Sequence, residues 1–279
     1  MPSRPTAVSE HLRPASSHAS IGVYLSDLWK RRSYVSHVPL HELRSRNMNT
    51  VFGNLWHLLN PALSIAVYYL IFGVILSTTR GVDHYITFLA IGVLAFQFSV
   101  KAITTSSTVI SANSGLLRSI SFPRAMLPLT SNTTEALAFL PNLFIIFVVA
   151  LVQGVAPSPL WLMVIPILGL QFLFNTGISL VAARLTHIFR DIQNILPFIF
   201  RLFFYGSGVL FSVQAYVEDP TLRWLFYVNP LFCILTLYRW AILGMPADLY
   251  EVASLLIWSS LAIIAGFWWF RKGEASYGN

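Results

Sequence analysis

Charged side chains are scarce in this chain of 279 residues, where Asp, Glu, Lys and Arg together make up only 10% of the sequence. Soluble domains carry about 25%, and the hydrophobic content here is 56%, which excludes an ordinary soluble protein. Between Ala136 and Ala183 there is no charged residue at all. A helix needs roughly 20 apolar residues to cross a bilayer, so this run accommodates two crossings joined by a turn at residues 154–159. We predict an all-α integral membrane protein.

Cysteine and lysine are nearly absent. The single cysteine, Cys233, excludes a disulfide within the chain. The only lysines are Lys30, Lys101 and Lys272, and none of them follows a glycine. A nucleotide-binding P-loop needs Gly-Lys-Ser/Thr, so if the protein uses ATP, another chain binds it. The sequence also has no metal-ligand cluster and no nucleophile with a matching base. We therefore expect no catalytic residue, no metal and no cofactor on this chain.

Six segments are long and apolar enough to cross a membrane. Asn60-Pro61 should kink the first, because proline removes a backbone donor. Residues 1–20 are rich in Pro, Ser and His and lack an apolar signal core, so we expect a disordered cytoplasmic tail. Residues 21–272 then form one transmembrane domain, and residues 273–279 form a C-terminal tail. The predicted spans are residues 51–76, 85–108, 125–152, 160–185, 194–211 and 249–270.

Positive charge orients these spans. Thirteen Lys and Arg residues fall on the side of the N-terminus, whereas only Arg80, Arg223 and Arg239 fall on the opposite side. Cytoplasmic loops carry the excess of Lys and Arg, so we expect a multi-pass protein with both termini in the cytoplasm.

Ahead of the first span, apolar residues repeat with helical spacing. Ile21, Tyr24, Leu25, Leu28 and Trp29 follow this pattern, and three consecutive cations come next. The pattern predicts an amphipathic helix that lies flat at the inner interface, with its cations toward anionic headgroups. The alternative is a helix of the same pattern packed on protein.

Two short apolar stretches follow the fifth span. Residues 222–228 and 231–243 are interrupted by Asn229-Pro230 and by Pro246, and each is too short to cross. Stretches of about 10–14 apolar residues are more often re-entrant or interfacial. We predict two short external helices that dip into the outer leaflet.

The connector between spans two and three is unusually apolar. It places Leu116, Leu117, Ile120 and Phe122 among Arg and Ser residues. Exposed apolar side chains with a polar rim indicate a docking surface for a partner. The alternative is a loop folded against its own bundle.

This connector carries a family resemblance. Asn-x-x-Leu-Leu at 113–117, followed by Phe-Pro-Arg at 122–124 and by Pro128, resembles the first cytoplasmic loop of type 2 ABC exporter permeases, which export lipid-linked polysaccharides such as O-antigen and wall teichoic acid. Three further matches occur in order: the Gly-x-x-Trp…Pro entrance to span one at 52–61, an Arg-Asp pair at 189–192, and an external Asn-Pro…Tyr-Arg hairpin at 227–239. Together they cover roughly residues 21–272. Residues 273–279 lack the acidic-aromatic ending of many relatives, and we assign them no function.

The resemblance implies a bacterial plasma (inner) membrane permease that forms a homodimer. Each copy would contact one of two ABC ATPase subunits, which bind ATP and Mg²⁺, and a lipid-linked polysaccharide would pass between the copies; no nucleic acid is involved. The implied ATPase-coupling residues are Asn113, Gly115, Leu116, Leu117, Arg118, Phe122, Arg190 and Asp191. The implied gate helix at the inner interface contains Tyr24, Leu28 and Trp29. The implied external gate contains Asn229, Pro230, Tyr238 and Arg239.

Three charges lie inside predicted spans, namely Lys101, Glu135 and Arg201. Charges within a membrane usually face protein or a water-filled path. Their depths overlap, so we expect Glu135 to neutralise one cation and leave the other free for a pyrophosphate. The alternative is that Lys101 and Arg201 snorkel to the inner headgroups.

Aromatic residues reach 14% of the chain. Sugar rings stack on aromatic faces, so an aromatic wall would hold a sliding polymer without fixed hydrogen bonds. Packing against lipid or protein is the alternative for many of them. The candidate wall residues are Tyr68, Tyr69, Phe72, Phe96, Phe98 and Phe204.

These features favour a permease subunit of a polysaccharide exporter. The Phe-Pro-Arg and Asn-Pro regions most resemble those of actinobacterial exporters of cell-wall galactan, which implies a polyprenyl-pyrophosphate-linked galactan. One alternative keeps the fold but moves a drug or a lipid. Another is a membrane-embedded glycosyl- or acyltransferase, which the missing carboxylate and histidine sites disfavour.

Overall fold

The computed structural model describes residues 21–46, 52–77, 79, 81–119, 122–217 and 219–277, and no strand occurs in them. The expected disordered tail at 1–20 lies outside the described residues. The twelve α-helices are α1 Ile21–Lys30, α2 Arg32–Ser45, α3 Trp56–Tyr68, α4 Tyr85–Ala112, α5 Ser114–Ser119, α6 Met126–Val152, α7 Val164–Ile188, α8 Ile192–Gly206, α9 Val213–Tyr216, α10 Pro220–Val228, α11 Pro230–Leu243 and α12 Leu249–Lys272.

Five helical stretches are each long and apolar enough to cross a membrane. They comprise α3 with the wider π-helical turn that follows it, then α4, α6, α7 with its leading 3₁₀ turn, and α12. Helices α10 and α11, bent by 93° at their junction, meet the same criterion only when they are taken together. The all-α membrane fold is confirmed. Pro61 lies inside α3 and the helix continues past it.

The centre of the bundle is α4, which is buried along most of its length between α6 and α7. On its far side α7 packs along α12, where the backbones come very close at Gly177 and Gly266. A Cβ on Gly177 would lie 2.2 Å from the carbonyl carbon of Ala262. Small residues permit such approach between helices in lipid, so these two glycines fix the α7–α12 pair.

The fifth predicted span is shorter than expected. It extends to residue 211 by sequence, but α8 ends at Gly206, which at 1.5 Å per residue makes it roughly 22 Å long. The chain turns through Gly208, whose φ is +61°. Arg239 donates to the carbonyl oxygens of Gly208 at 2.9 Å and Val209 at 3.0 Å. These bonds satisfy carbonyls that a longer helix would have bonded internally.

Helices α10 and α11 form a re-entrant pair. Ser254 and Trp258 of α12 donate to the carbonyls of Tyr227 and Val228 at the end of α10. These donors lie about 8 and 14 Å from the start of α12, while α11 returns to within a few residues of that start. Trp224 of α10 also lies 5.0 Å from Tyr250 at the start of α12, so both helices of the pair lie near that end of α12. Most of α11 is buried inside the bundle, so it does not dip into the outer leaflet as expected.

One end of the bundle carries α1, α5 and residues 273–277, and we name it the α5 side. A second apolar cluster lies there, separate from the main core. Tyr24 is the one buried side chain of α1, whereas Trp29 is exposed. The polar helix α2, which has no apolar pattern in its sequence that would predict it, packs against α6.

Candidate functional site

An open cleft of about 500 Å³, lined by both polar and apolar side chains, lies between α3 and α4. A smaller cavity of about 80 Å³ adjoins it and reaches α6. The two share Asn60, Pro61, Gln97 and Lys101. Polar groups are expensive within the membrane and usually mark a substrate or ion path. The cleft is therefore the strongest candidate site in the described part of the chain.

Lys101 carries the positive charge of this cleft. It lies one helical turn after Gln97 on α4, so both side chains face α3. Its side chain is exposed, and no Asp or Glu among the described residues forms an ion pair with it. An ammonium group in this position offers three donors to an anion.

Glu135 has a different partner from the one expected. Its carboxylate accepts a hydrogen bond from Arg46 at 2.7 Å, and Arg46 also pairs with Glu42 at 2.9 Å. Thr134 donates to the second oxygen of Glu42 at 3.2 Å. The expectation that Glu135 neutralises Lys101 or Arg201 is wrong. Arg46, which directly follows α2, forms the ion pair with Glu135 instead. Neither Lys101 nor Arg201 therefore pairs with Glu135.

Arg201 does not share the cleft. It lies on the exposed face of α8, with its guanidinium 5.7 Å from the ring centre of Phe198. Of the two cations expected to bind a pyrophosphate, Lys101 lines the cleft and Arg201 does not.

Aromatic side chains continue from the cleft along α3 and α8. Tyr68 lines the cleft and contacts Phe72 at 6.4 Å and Phe204 at 5.6 Å between ring centres. Phe72 and Phe204 also line an apolar pocket of about 390 Å³ with Tyr205 and Tyr216. The three rings thus connect the cleft at Lys101 to this apolar pocket.

The other aromatic candidates occupy the interior. Phe96 is buried and meets Phe204 edge-on at 5.3 Å, while Phe98 is buried, stacks on Phe139 and borders only the smaller cavity. Tyr69 is half-buried against the main core and lines neither cavity nor the apolar pocket.

The expected docking segment is partly folded into its own bundle. Helix α5 places Gly115 on the surface, but Leu117 is 6% exposed and belongs to the cluster on the α5 side. Phe122 and Asn113 are half-buried. Leu117 is therefore a packing residue, and the alternative of a loop folded against its bundle holds there. The side chains of Leu116 and Arg118 lie outside the described part.

The connector from α7 to α8 offers a better docking surface. Residues 188–191 are all exposed, and the apolar Ile188 and Phe189 precede Arg190 and Asp191. These four residues combine apolar and charged side chains at and just beyond the end of α7, as a partner-binding patch requires.

The external-gate residues divide into two groups. Asn229 caps α11 by accepting from the Leu231 amide at 3.0 Å, and Pro230 begins that helix. Tyr238 and Arg239 are fully buried inside the bundle, which contradicts the expectation that they line a channel mouth. Tyr238 donates to Gln171 at 3.0 Å, and Arg239 lies 3.4 Å from the ring centre of Phe88.

The C-terminal segment, to which we assigned no function, makes specific contacts. Glu274 accepts from the Tyr24 hydroxyl at 2.9 Å and from the Arg124 amide at 2.8 Å. Burial raises the pKa of the Glu274 carboxyl, and these two bonds together with the nearby cations oppose that rise. Burial also raises the pKa of Tyr24. Our interpretation of residues 273–279 missed this role, although an acidic residue, Glu274, and an aromatic residue, Tyr277, do follow the last span.

The fold and the helix lengths define this chain as a multi-pass membrane protein. It belongs to the ABC-2 type transporter family, whose model matches residues 41–243. The family gives it a transport role as a permease subunit, with ATP hydrolysis on a separate partner. The resemblance found in its motifs is confirmed.

Curated relatives cover most of the chain. An O-antigen export system permease protein RfbA of Klebsiella pneumoniae is 29% identical over 232 residues, which is 83% of this chain and 88% of the relative. The protein of the same name from Myxococcus xanthus is 25% identical over 76% of this chain and 81% of its own length. The polysialic acid transport protein KpsM of Escherichia coli is 25% identical over 77% of this chain and 83% of its own length.

Proposed function

We propose that this chain is the permease subunit of an exporter for a polyprenyl-pyrophosphate-linked polysaccharide of the O-antigen or galactan type. It works as a homodimer with two copies of a separate ATPase, and its α5 side faces the cytoplasm. The similarity to export permeases for O-antigen and polysialic acid supports the substrate class. The excess of Lys and Arg on the α5 side supports the orientation.

The observation that carries this proposal is the cleft at Lys101 and its aromatic continuation. A diphosphate accepts charge-assisted hydrogen bonds, which are strong where water is scarce. The ammonium of Lys101, with Gln97 and Asn60 beside it, supplies such donors. Tyr68, Phe72 and Phe204 then offer ring faces on which sugars stack. One end of the path thus suits the pyrophosphate and the other suits the polymer.

The test is export by a Lys101→Gln variant. We expect normal expression, at least a tenfold loss of export, and lipid-linked polymer accumulating in the cytoplasmic leaflet, measured by mass spectrometry of extracted lipids. Lys272→Gln is the matched control, because Lys272 lies at the end of α12 over the Trp268 ring at 3.6 Å. Export at the wild-type rate by Lys101→Gln would place the head group elsewhere. If cells depleted of this protein accumulate no lipid-linked polymer, the proposed function as a polysaccharide exporter would be wrong.

The separate ATPase is tested with purified protein. The chain alone should hydrolyse no ATP above background, and hydrolysis should appear when the ATPase subunit co-purifies. Phe189→Asp should abolish that co-purification, because burying one large side chain at an interface centre contributes on the order of 2–4 kcal/mol. Ser276→Asp, an exposed change on the same side, should leave it intact. Retention of the ATPase by Phe189→Asp would exclude residues 188–191 as the docking patch.

A further inference from the structure

The segment at residues 273–277 follows α12 and turns back onto the α5 side of the bundle. Residues Glu274–Ser276 form one 3₁₀ turn. Gly273, which starts the segment, is closely surrounded, since a Cβ there would lie 2.8 Å from Nε of Arg184 and from the Tyr277 hydroxyl. The segment is thus fitted against the ends of other helices and does not extend away from them.

Glu274 joins three parts of the chain through one carboxylate oxygen. Its Oε1 accepts from the Tyr24 hydroxyl of α1 and from the Arg124 amide just before α6. The Arg124 guanidinium donates to the Glu274 carbonyl oxygen. The Tyr24 hydroxyl in turn accepts from the Ala125 amide at 3.3 Å. These bonds form a closed ring, so loss of the carboxylate removes two of its connections at once.

Tyr277 fixes the other end of the segment. Its hydroxyl donates to the Phe270 carbonyl at 2.8 Å, and its ring meets His187 of α7 edge-on at 5.0 Å. Tyr277 is buried in the same apolar cluster as Tyr24 and Leu117. The segment therefore contacts α1 and the end of α7, and it shares one cluster with α5.

Helix α1 meets the α5 side mainly through Tyr24, and Leu28 packs against the same apolar cluster. Tyr24 is its one buried side chain, and its ring is 5.6 Å from that of Phe267. A helix of ten residues is only marginally stable by itself, so the position of α1 depends on the contacts of Tyr24 and Leu28 and on α2, which follows it directly.

We propose that Glu274 and Tyr277 make the C-terminal segment a mechanical link, which transmits movement of α5 and of the α7–α8 connector to α1. The first part of this inference, that the C-terminal segment holds α1 in place, depends only on contacts within the chain. The transmission half rests on the proposed function, because it requires that an ATPase moves α5 or residues 188–191. Glu274 acts as a positioning residue for α1 and contacts no substrate.

The first test measures hydrogen–deuterium exchange of the purified permease in lipid nanodiscs. Glu274→Ala should accelerate amide exchange in α1 at least tenfold while α4 is unchanged. Tyr24→Phe, which removes the hydroxyl and keeps the ring, should do the same to a smaller extent. Glu274→Gln keeps an acceptor at Oε1 and should behave as wild type, as should Ser276→Ala. Unchanged exchange of α1 in Glu274→Ala would overturn the link.

The second test compares ATP turnover with export in the permease–ATPase complex. Glu274→Ala should keep ATP hydrolysis within twofold of wild type and lose at least tenfold in export, and Glu274→Gln should restore export. Loss of ATP turnover in proportion to export would overturn transmission, because the segment would then only support the fold or the docking patch. A wild-type chain that neither binds nor stimulates an ATPase would contradict the proposed function instead, and the exchange experiment would still decide whether the segment holds α1.

Discussion

At the residue scale, the ionisable groups in and beside the bundle differ in how their charge is satisfied. Glu135 is 4% exposed and depends on Arg46, whose side chain is 31% exposed. Arg239 has no carboxylate partner among the described residues and donates instead to backbone carbonyls. Lys101 alone among these three lines a cleft without such a partner, which is why the site is centred on it.

The Arg46–Glu135 pair should respond asymmetrically to substitution. Arg46→Met leaves the buried Glu135 charge without its cation, whereas Glu135→Leu leaves Arg46 with Glu42. We expect Arg46→Met to lower the free energy of unfolding by about 1–3 kcal/mol. The loss is smaller than for a fully buried pair because Arg46 is partly exposed. The double variant Arg46→Met/Glu135→Leu should recover part of that loss. Melting midpoints in detergent measure this. Equal midpoints for Arg46→Met and for Arg44→Met, a matched change at an exposed position of α2, would show that the pair contributes nothing.

We expect Arg239 to stabilise the fold rather than to act as a gate. Its removal leaves the carbonyls of Gly208 and Val209 buried without their donor, which costs about 1–3 kcal/mol for each group. We expect Arg239→Gln to reduce the yield of folded protein and the melting midpoint, whereas Arg223→Gln, at a half-buried site near the surface, should change both only slightly. A folded Arg239→Gln variant with increased leak of small solutes would instead support a gate.

At the element scale, close backbone approach determines how α7 and α12 meet. Gly177 contacts the backbone of Ala262, and Gly266 contacts the backbone of Gly177. Interiors do not accommodate extra atoms without shifts of the backbone. The α7–α12 pair therefore depends on side chains being absent at two positions.

Gly177→Ala tests this contact against a control on the same helix. The new Cβ would meet backbone at 2.2 Å, whereas a Cβ on Gly169 meets nothing within 4 Å. We expect Gly177→Ala to lower stability by about 1–3 kcal/mol and Gly169→Ala to be neutral or slightly stabilising. Size-exclusion profiles and melting midpoints report both, and equal behaviour would mean that α7 and α12 separate easily.

At the scale of the whole molecule, the helices place α1, α5 and the C-terminal segment on one side. The turn between α6 and α7 and the re-entrant pair lie on the other. Most Lys and Arg residues fall on the α5 side, so the charge distribution and the fold agree on which elements share a compartment.

Cysteine labelling checks this arrangement. With Cys233 replaced by Ser, cysteines at Ser33 and Ser276 should react with a membrane-impermeant maleimide only after the cytoplasmic face is opened. A cysteine at Ala156, exposed between α6 and α7, should react in intact cells. Reaction of Ser33→Cys in intact cells would reverse the assignment of sides.

The sequence determined the class of the molecule, because helix lengths and the lack of charge follow from the solvent that surrounds them. It also located α1, the re-entrant pair and the motifs of the transporter family, since amphipathic spacing, interrupted apolar stretches and local motifs are all properties of neighbouring residues.

Which charges meet depends on how the helices pack. Arg46 and Glu135 lie far apart along the chain and are joined because α2 packs on α6, and a polar helix such as α2 gives no periodic signal. Burial of Leu117, Tyr238 and Arg239 likewise depends on what the rest of the bundle places around them. The ring of bonds through Tyr24, Arg124 and Glu274 connects three segments distant in sequence. No local pattern contains such contacts, because hydrogen bonds and ion pairs are set by distance in space.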